Sequence, residues 1–342
     1  MRSWRLTRHV LLWPLLLLVA LPLVMLLLAW LQPQADVWAH IKDYLLPRLV
    51  GHSLVMLVVV GLGVAIIGVS MAWLSACCEY PFRKILDPLL VLPLAFPTYV
   101  LAFIYLGVWD FSGPIQTQWR AWFDSDPWLF QSLSQPAGVL FILVLAFYPY
   151  VYLLARASFA SGGLAAFEAG RSLGVGPVRT FFRVSLPIAR PAIVAGLTLA
   201  MMETLADFGA VSIFGFDTFT TAIYRTWFGL FNLTAAVQLA SILMLFVLAL
   251  ILAERLSRSE GAGESERRPT GHRIQLRGPL ASMASLAQLA LVCLAVVMPL
   301  AQLVVWAWPS LANLSMRPMP GLIGNTLLLG FGGALLVVLG GV

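Results

Sequence analysis

Few side chains in this sequence could do chemistry, and the most telling of them sit where charge is costly. Glu203 and Asp207 lie four residues apart in MMETLADFGAV, inside a run otherwise apolar enough to cross a membrane. Four residues is about one helical turn, so a continuous helix puts both carboxylates on one face. Ionisable groups at that depth cost about 2.5–3.5 kcal/mol on insertion scales, which makes them functional candidates. Carboxylate oxygens are hard ligands suited to hard cations. The competing reading has them hydrogen-bonded to neighbouring helices or holding a local break near Gly209. Tyr148, Tyr150 and Tyr152 could add phenol oxygens, with Tyr148 a candidate for the same path and packing the alternative role. His9, His40, His52 and His272 have no metal-ligand spacing, and neither H-E-x-x-H nor G-x-S-x-G occurs, which argues against an intramembrane hydrolase. His52 reads as a hydrogen-bonded packing residue and Asp87 as a wetted interfacial group. Cys77, Cys78 and Cys293 fit no disulfide frame or zinc spacing, and the first two read as small packing residues.

The elements that must position these groups follow from composition. The 342 residues are 61% hydrophobic and only 11% charged, with a mean hydropathy of +0.92. Soluble domains carry about 25% charged residues. Apolar runs near 10–31, 50–76, 84–108, 136–158, 191–214, 234–254, 280–308 and 322–342 are long enough to cross the hydrocarbon core. The expected fold is an all-α polytopic membrane protein with about eight transmembrane helices, embedded in membrane lipid. The first run is too long for a signal-peptide core and reads as an uncleaved helix. With the N-terminus in the cytoplasm, sixteen of the 21 Lys and Arg residues fall on the cytoplasmic side. The net charge of +6 is therefore a topology signal and requires no nucleic acid partner. Gly61-Leu62-Gly63 lies inside an apolar run and lacks a third glycine, so it reads as small-residue helix packing. Nothing matches G-x-x-x-x-G-K-[ST], and the chain is expected to bind no ATP or other cofactor itself.

One polar stretch, EAGRSLGVGPVRTFFRVSLP from Glu168 to Pro187, stands between two membrane runs. Gly174 is placed as a left-handed helix terminator. Gly176 and Pro177 are suited to N-cap and N1 of a second helix, which Pro187 should end before the next span. Val178, Phe181, Phe182 and Ser185 are expected to share one face, with Arg179 and Arg183 on another. An interfacial amphipathic hairpin on lipid headgroups is the competing reading. The spacing Glu168-Ala169-Gly170, three residues, Gly174, nine residues, Val184-Ser185-Leu186-Pro187 resembles the EAA loop of bacterial ABC-transporter permeases. The pattern there is E-A-A, three residues, G, nine residues, I-x-L-P; Gly170 and Val184 are the departures. The resemblance implies that Glu168, Ala169, Gly170 and Gly174 contact a separate ABC ATPase, present in two copies, that uses ATP. Leu186 and Pro187 would fix the exit into the next span.

Met201–Ser241 and Leu92–Gly107 resemble the ferric-iron permeases of that class. This implies a bacterial inner-membrane importer fed by a periplasmic substrate-binding protein. Permeases for thiamine, sulfate, polyamines and phosphonates share the architecture. An ion-driven secondary transporter using Glu203 and Asp207 would leave the loop spacing unexplained. The aromatic segments 109–130 and 216–232 suit an interfacial belt or docking of the binding protein. Residues 280–342 echo the opening of the chain, for instance MPLAQLVVWAW against LPLVMLLLAWL. The expected organisation is a first permease repeat at 1–254, a flexible cytoplasmic linker at 255–279 rich in charge, Gly and Ser, and the start of a second repeat at 280–342. Because only two helices follow the linker, the sequence reads as truncated within that second repeat.

Overall fold

The computed structural model describes residues 17, 20–125, 128–163, 167–168, 170, 172, 174–257, 273–311 and 318–341. The helices that matter below are α1 (Ala35–His40), α2 (Leu46–Cys77), α3 (Arg83–Leu89), α4 (Thr98–Trp109), α5 (Pro114–Phe123) and α6 (Val139–Ser158). They are followed by α7 (Leu186–Ala206), α8 (Gly209–Ile213), α9 (Phe219–Tyr224), α10 (Leu233–Ser257), α11 (Pro279–Val292), α12 (Met298–Leu311) and α13 (Met319–Gly341). Two-residue strands, β1 (Cys78–Glu79) and β2 (Ile274–Gln275), pair in parallel. Among the described residues, six helices are long and apolar enough to span a membrane, or seven when a bent pair is counted as one span. The chain is thus all-α and polytopic.

The expected count of eight is not reproduced, for two reasons. The first part of the run at 10–31 lies largely outside the described residues; what is described is a shorter apolar helix, Ala20–Leu31. The run at 84–108 is two helical segments, Arg83–Ala95 and Thr98–Phe123, bent by 98° at a short break. Pro97 explains that bend: it lacks an amide donor, and Phe96 before it is extended, with φ −91° and ψ 127°.

The chain divides into two compact units, Met1–Val297 and Met298–Val342. In the first, α2, α6 and α7 form the packed centre. A Cβ at Gly63 would stand 2.6 Å from Val144, and one at Gly68 would stand 2.7 Å from Val151. These contacts bear out small-residue packing for the Gly61-Leu62-Gly63 segment, because only a missing side chain lets α2 and α6 approach this closely. Tyr105, Tyr148 and Tyr152 are among the largest fully buried side chains.

The two ends of α2 carry different polar clusters, and a 32-residue helix separates them by about 48 Å. At its N-terminal end Arg48 and Arg225 both pair with Asp217. His52 donates from Nδ1 to the Asp217 carbonyl at 2.9 Å and stacks on Phe216, as a packing histidine should. At the other end Asp87 receives Arg83 and Arg156, each at 3.1 Å, and Glu79 receives Arg83 at 3.3 Å and Arg273 at 3.5 Å. Asp87 is therefore a buried ion-pair centre rather than a wetted interfacial group. The sequence could not show this, because Arg156 arrives from 69 residues away along the chain.

Part of the expected linker contributes to that cluster. Residues 258–272 lie outside the described residues, but Ile274–Gln275 form β2, which pairs with β1. The Leu276 amide donates to the Glu79 carbonyl at 3.1 Å. Beyond it, Ala281 and Ala284 of α11 pack on Cys78 and Tyr80, and Gln288 donates to Ser75 at 3.0 Å. The start assigned to the second repeat at 280 thus lies within the first compact unit. Burial pushes the Cys78 thiol up to about 11, which keeps it protonated at neutral pH and fits a packing role.

Candidate functional site

Two arrangements carry the functional argument, and the first is the hairpin. Gly174 has φ +81°, a conformation that a Cβ disfavours. The Val175 amide donates to the Gly170 carbonyl at 3.2 Å, the six-to-one bond that closes a Schellman helix end. A new helix opens at Pro177, where a missing amide donor costs nothing. The Thr180 hydroxyl donates to the Gly176 carbonyl at 3.0 Å, holding the turn from its far side. The termination at Gly174 and the start at Pro177 thus stand as the spacing predicts. Ala169 lies outside the described residues, while Glu168 is half-buried and Gly170 buried.

Gly170 gives its departure from the E-A-A pattern a physical reason. A Cβ there would stand 2.7 Å from the Thr180 methyl, so the two arms of the hairpin touch through the glycine. Gly170→Ala should lower the stability of the hairpin by about 1–3 kcal/mol, the usual cost of overpacking. Adding Thr180→Ser removes the methyl, keeps the hydroxyl and should restore most of the loss. A double-mutant cycle on protease cleavage near residues 174–176 reads this coupling, and strictly additive effects would refute it.

Two expectations for this stretch are corrected. Pro187 does not end a helix. A wide helical turn at Phe181–Ser185 runs directly into α7, and Pro187 sits in the first turn of α7, where no amide donor is required. Nor do Phe181 and Ser185 face outward with Val178 and Phe182. Phe181 packs on Trp73 with ring centroids 4.8 Å apart, and Ser185 is buried. Phe159 and Phe167 also meet Trp73 edge-on at 5.2 Å, which anchors the hairpin to α2. Each such aromatic pair adds about 0.5–1.5 kcal/mol beyond burial. Val178, Arg179, Phe182 and Arg183 are left exposed as one outward surface.

The second arrangement is a cavity of about 390 Å³ lined by residues of two interrupted helices. Pro93, Leu94, Phe96, Pro97 and Thr98 come from the bend between Ala95 and α4. Glu203, Ala206, Asp207, Phe208 and Gly209 come from the break between α7 and α8. Irregular backbone at membrane depth survives only where protein buries it or where it lines a wet cavity. Discontinuous helices facing one cavity are the usual construction of a transporter's substrate site.

Glu203 and Asp207 both border this cavity, but not as two equivalent groups on one helical face. The helix ends at Ala206, and Asp207 turns extended with φ −63° and ψ 126°. Its Oδ1 accepts the Ala210 and Val211 amides at 3.0 and 3.1 Å, capping α8. Its Oδ2 accepts the Thr98 hydroxyl at 2.5 Å, and its carbonyl accepts Thr220 at 2.7 Å. The carboxylate of Asp207 is therefore spent on holding the two breaks together. Glu203 is exposed and makes no hydrogen bond or ion pair among the described residues.

Tyr148 is fully buried, and its hydroxyl donates to the Leu90 carbonyl at 2.8 Å. It does not line the cavity; Tyr150 does, together with Tyr99. Helical geometry explains the difference, since residues 148 and 152 share a face and residue 150 points the other way. Trp73, Thr98, Tyr99 and Thr180 gave no individual signal in the sequence. Only Thr98, directly after Pro97 in a broken apolar run, could have been singled out.

A polytopic helical bundle with a docked polar hairpin and a cavity between broken helices is the architecture of a membrane transporter component. The chain matches the family described as "Binding-protein-dependent transport system inner membrane component" over residues 65–256, and it belongs to that family. It is 26% identical over 213 residues to the Fe(3+)-transport system permease protein FbpB 2 of Haemophilus influenzae, covering 62% of this chain and 38% of that one. It is 31% identical over 147 residues to the molybdenum transport system permease protein ModB of Escherichia coli, covering 43% of this chain and 62% of ModB. For the sulfate transport system permease protein CysT of Escherichia coli the identity is 30% over 149 residues, covering 43% and 50%. The chain thus spans less than two thirds of the length of these relatives. A bacterial ABC transporter that imports the polysaccharide alginate superposes with a TM-score of 0.58 at 17% identity, over 76% of this chain and 100% of the matched one. The same fold recurs in an alginate ABC transporter solved with an alginate-bound periplasmic protein, with a TM-score of 0.58 at 15% identity over 78% and 97%.

Proposed function

We propose that this chain is the membrane permease of an ATP-driven importer in the bacterial inner membrane, with its N-terminus in the cytoplasm. In this reading the 168–187 hairpin docks on a separate ATPase, and a periplasmic binding protein delivers the cargo. The hairpin carries the proposal. It combines the spacing of a coupling loop with an outward surface of Val178, Arg179, Phe182 and Arg183 on a base fixed to Trp73. Bulky apolar side chains beside arginines suit a protein groove better than bulk water. Glu168 and Gly170 shape the first arm, Gly174 the turn, and Leu186 and Pro187 the entry into α7. Force applied to the hairpin then has a continuous helical route from Pro177 through α7 to the cavity.

Ferric iron is the cargo we assign. The similarity to the Fe(3+) permease extends over 62% of the chain, against 43% for the molybdenum and sulfate relatives. The higher identity of the latter two supports a second reading, an oxyanion importer. Uptake of radioactive ferric iron and of radioactive molybdate, by cells expressing the complete transporter and by cells deleted for this chain, separates the two. Iron uptake should fall to background on deletion while molybdate uptake is unchanged. Iron uptake that is unaffected by the deletion refutes the assignment.

A further inference from the structure

We infer that the cavity between the two helix breaks is a binding site for a hard, highly charged cation, and that Glu203 is its charge-bearing ligand while Asp207 only builds it. The inference rests on the importer reading for its biological cargo but not for the site itself. Three observations lead to it. The first is the sign of the lining: Glu203 and Asp207 are acidic, and no Lys, Arg or His lines the cavity among the described residues. An oxyanion held there would face carboxylate with no cationic partner, whereas a cation meets a compensating charge. The second is the division between the two carboxylates. Asp207 is 8% exposed, and three donors occupy its oxygens. Glu203, one turn earlier on α7, has no such partners among the described residues and opens on the cavity.

The third observation is the company Glu203 keeps. Tyr150 of α6 and Tyr99 of α4 line the same cavity, so the carboxylate shares it with two tyrosines from two other helices. Carboxylate, phenol and carbonyl oxygens form a hard donor set. One unpaired carboxylate with neutral oxygens also suits a path better than a store, because transit requires binding weak enough to release. Two paired, fully available carboxylates would hold a trivalent ion more firmly. Locking Asp207 into the α8 cap leaves the site with a single mobile anionic arm.

The site can be tested without the ATPase or the binding protein. Terbium(III) is a hard trivalent ion whose emission is sensitised by nearby tyrosine. The full chain in detergent micelles should give saturable tyrosine-sensitised terbium emission. Glu203→Gln should weaken terbium binding at least tenfold, Glu203→Asp should recover part of it, and Tyr150→Phe should lower the emission. Asp207→Asn keeps Oδ1 for the Ala210 and Val211 amides and lets Thr98 Oγ1 accept from the new amide, so it should remove only a wall charge and weaken terbium binding clearly less than Glu203→Gln does. Folding of each variant is followed by circular dichroism and size-exclusion chromatography. Terbium affinity unchanged by Glu203→Gln overturns the site, as does selective loss in a folded Asp207→Asn variant. Molybdate binding that Glu203→Gln leaves intact and terbium fails to displace also overturns it. If iron uptake requires the chain but terbium binding ignores Glu203, the site falls and the importer reading stands. If Glu203 governs terbium binding in a transporter that carries no iron, the cargo assignment falls and the site stands.

Discussion

Gly174→Pro is expected to leave the protein inserted in the membrane and to abolish coupled uptake. Gly174 adopts φ +81°, whereas a proline ring holds φ near −65°. The substitution therefore cannot preserve the turn. It also disturbs the Val175-to-Gly170 bond that closes the first arm, so the second arm shifts from the position that Phe181 on Trp73 gives it and carries the outward surface with it. The membrane helices depend on their own apolar packing and should be unaffected in amount. In the complete transporter, uptake should fall more than tenfold while basal ATP hydrolysis persists. Gly174→Ala should lie between the two, because a Cβ in the left-handed region costs about 1–2 kcal/mol rather than forbidding the conformation. Uptake at the wild-type rate by the proline variant would refute the coupling role of the hairpin.

Asp87→Ala should have the largest effect on stability. Arg83 is 5% exposed, and its guanidinium is held by Asp87, by Glu79 and by the Ser75 carbonyl. Removing Asp87 leaves a buried cation short of its main partner, a change that costs about 3–5 kcal/mol. Arg156 contacts the same carboxylate but is more open to solvent, so Arg156→Gln should cost less than about 1 kcal/mol. The ranking Asp87→Ala well below Arg156→Gln should appear in the temperature at which detergent-solubilised protein loses its monodisperse chromatographic peak. Equal losses for the two variants would show that Asp87 is not the centre of the cluster. The region is also where β2 and α11 meet the first helices, so unfolding there should release residues 273–288 to protease.

Much of the molecule was legible before any coordinates. Long apolar runs define membrane helices because backbone groups in hydrocarbon must be satisfied within the segment. Gly174 and Pro177 announced a turn because their allowed backbone angles are few, and the turn is where they placed it. His52, the adjacent free cysteines Cys77 and Cys78 and the Gly61–Gly63 segment kept the packing roles their surroundings suggested. All of these depend on neighbours in sequence or on a residue's intrinsic geometry.

What tertiary structure alone decided depends on partners distant along the chain. Sequence placed Glu203 and Asp207 one turn apart, but it could not show that Thr98, 109 residues earlier, would claim one Asp207 oxygen and end their equivalence. It marked Tyr148 and Tyr150 as alike, and only the packing of α6 against α2 and α7 turned the first inward and the second toward the cavity. It read Asp87 as a wetted interfacial group, because one of the two arginines that hold it, Arg156, comes from 69 residues away. A sequence fixes which charges and helix breaks exist. Whether a charge is spent on structure or left for a ligand is settled by which distant donors reach it first.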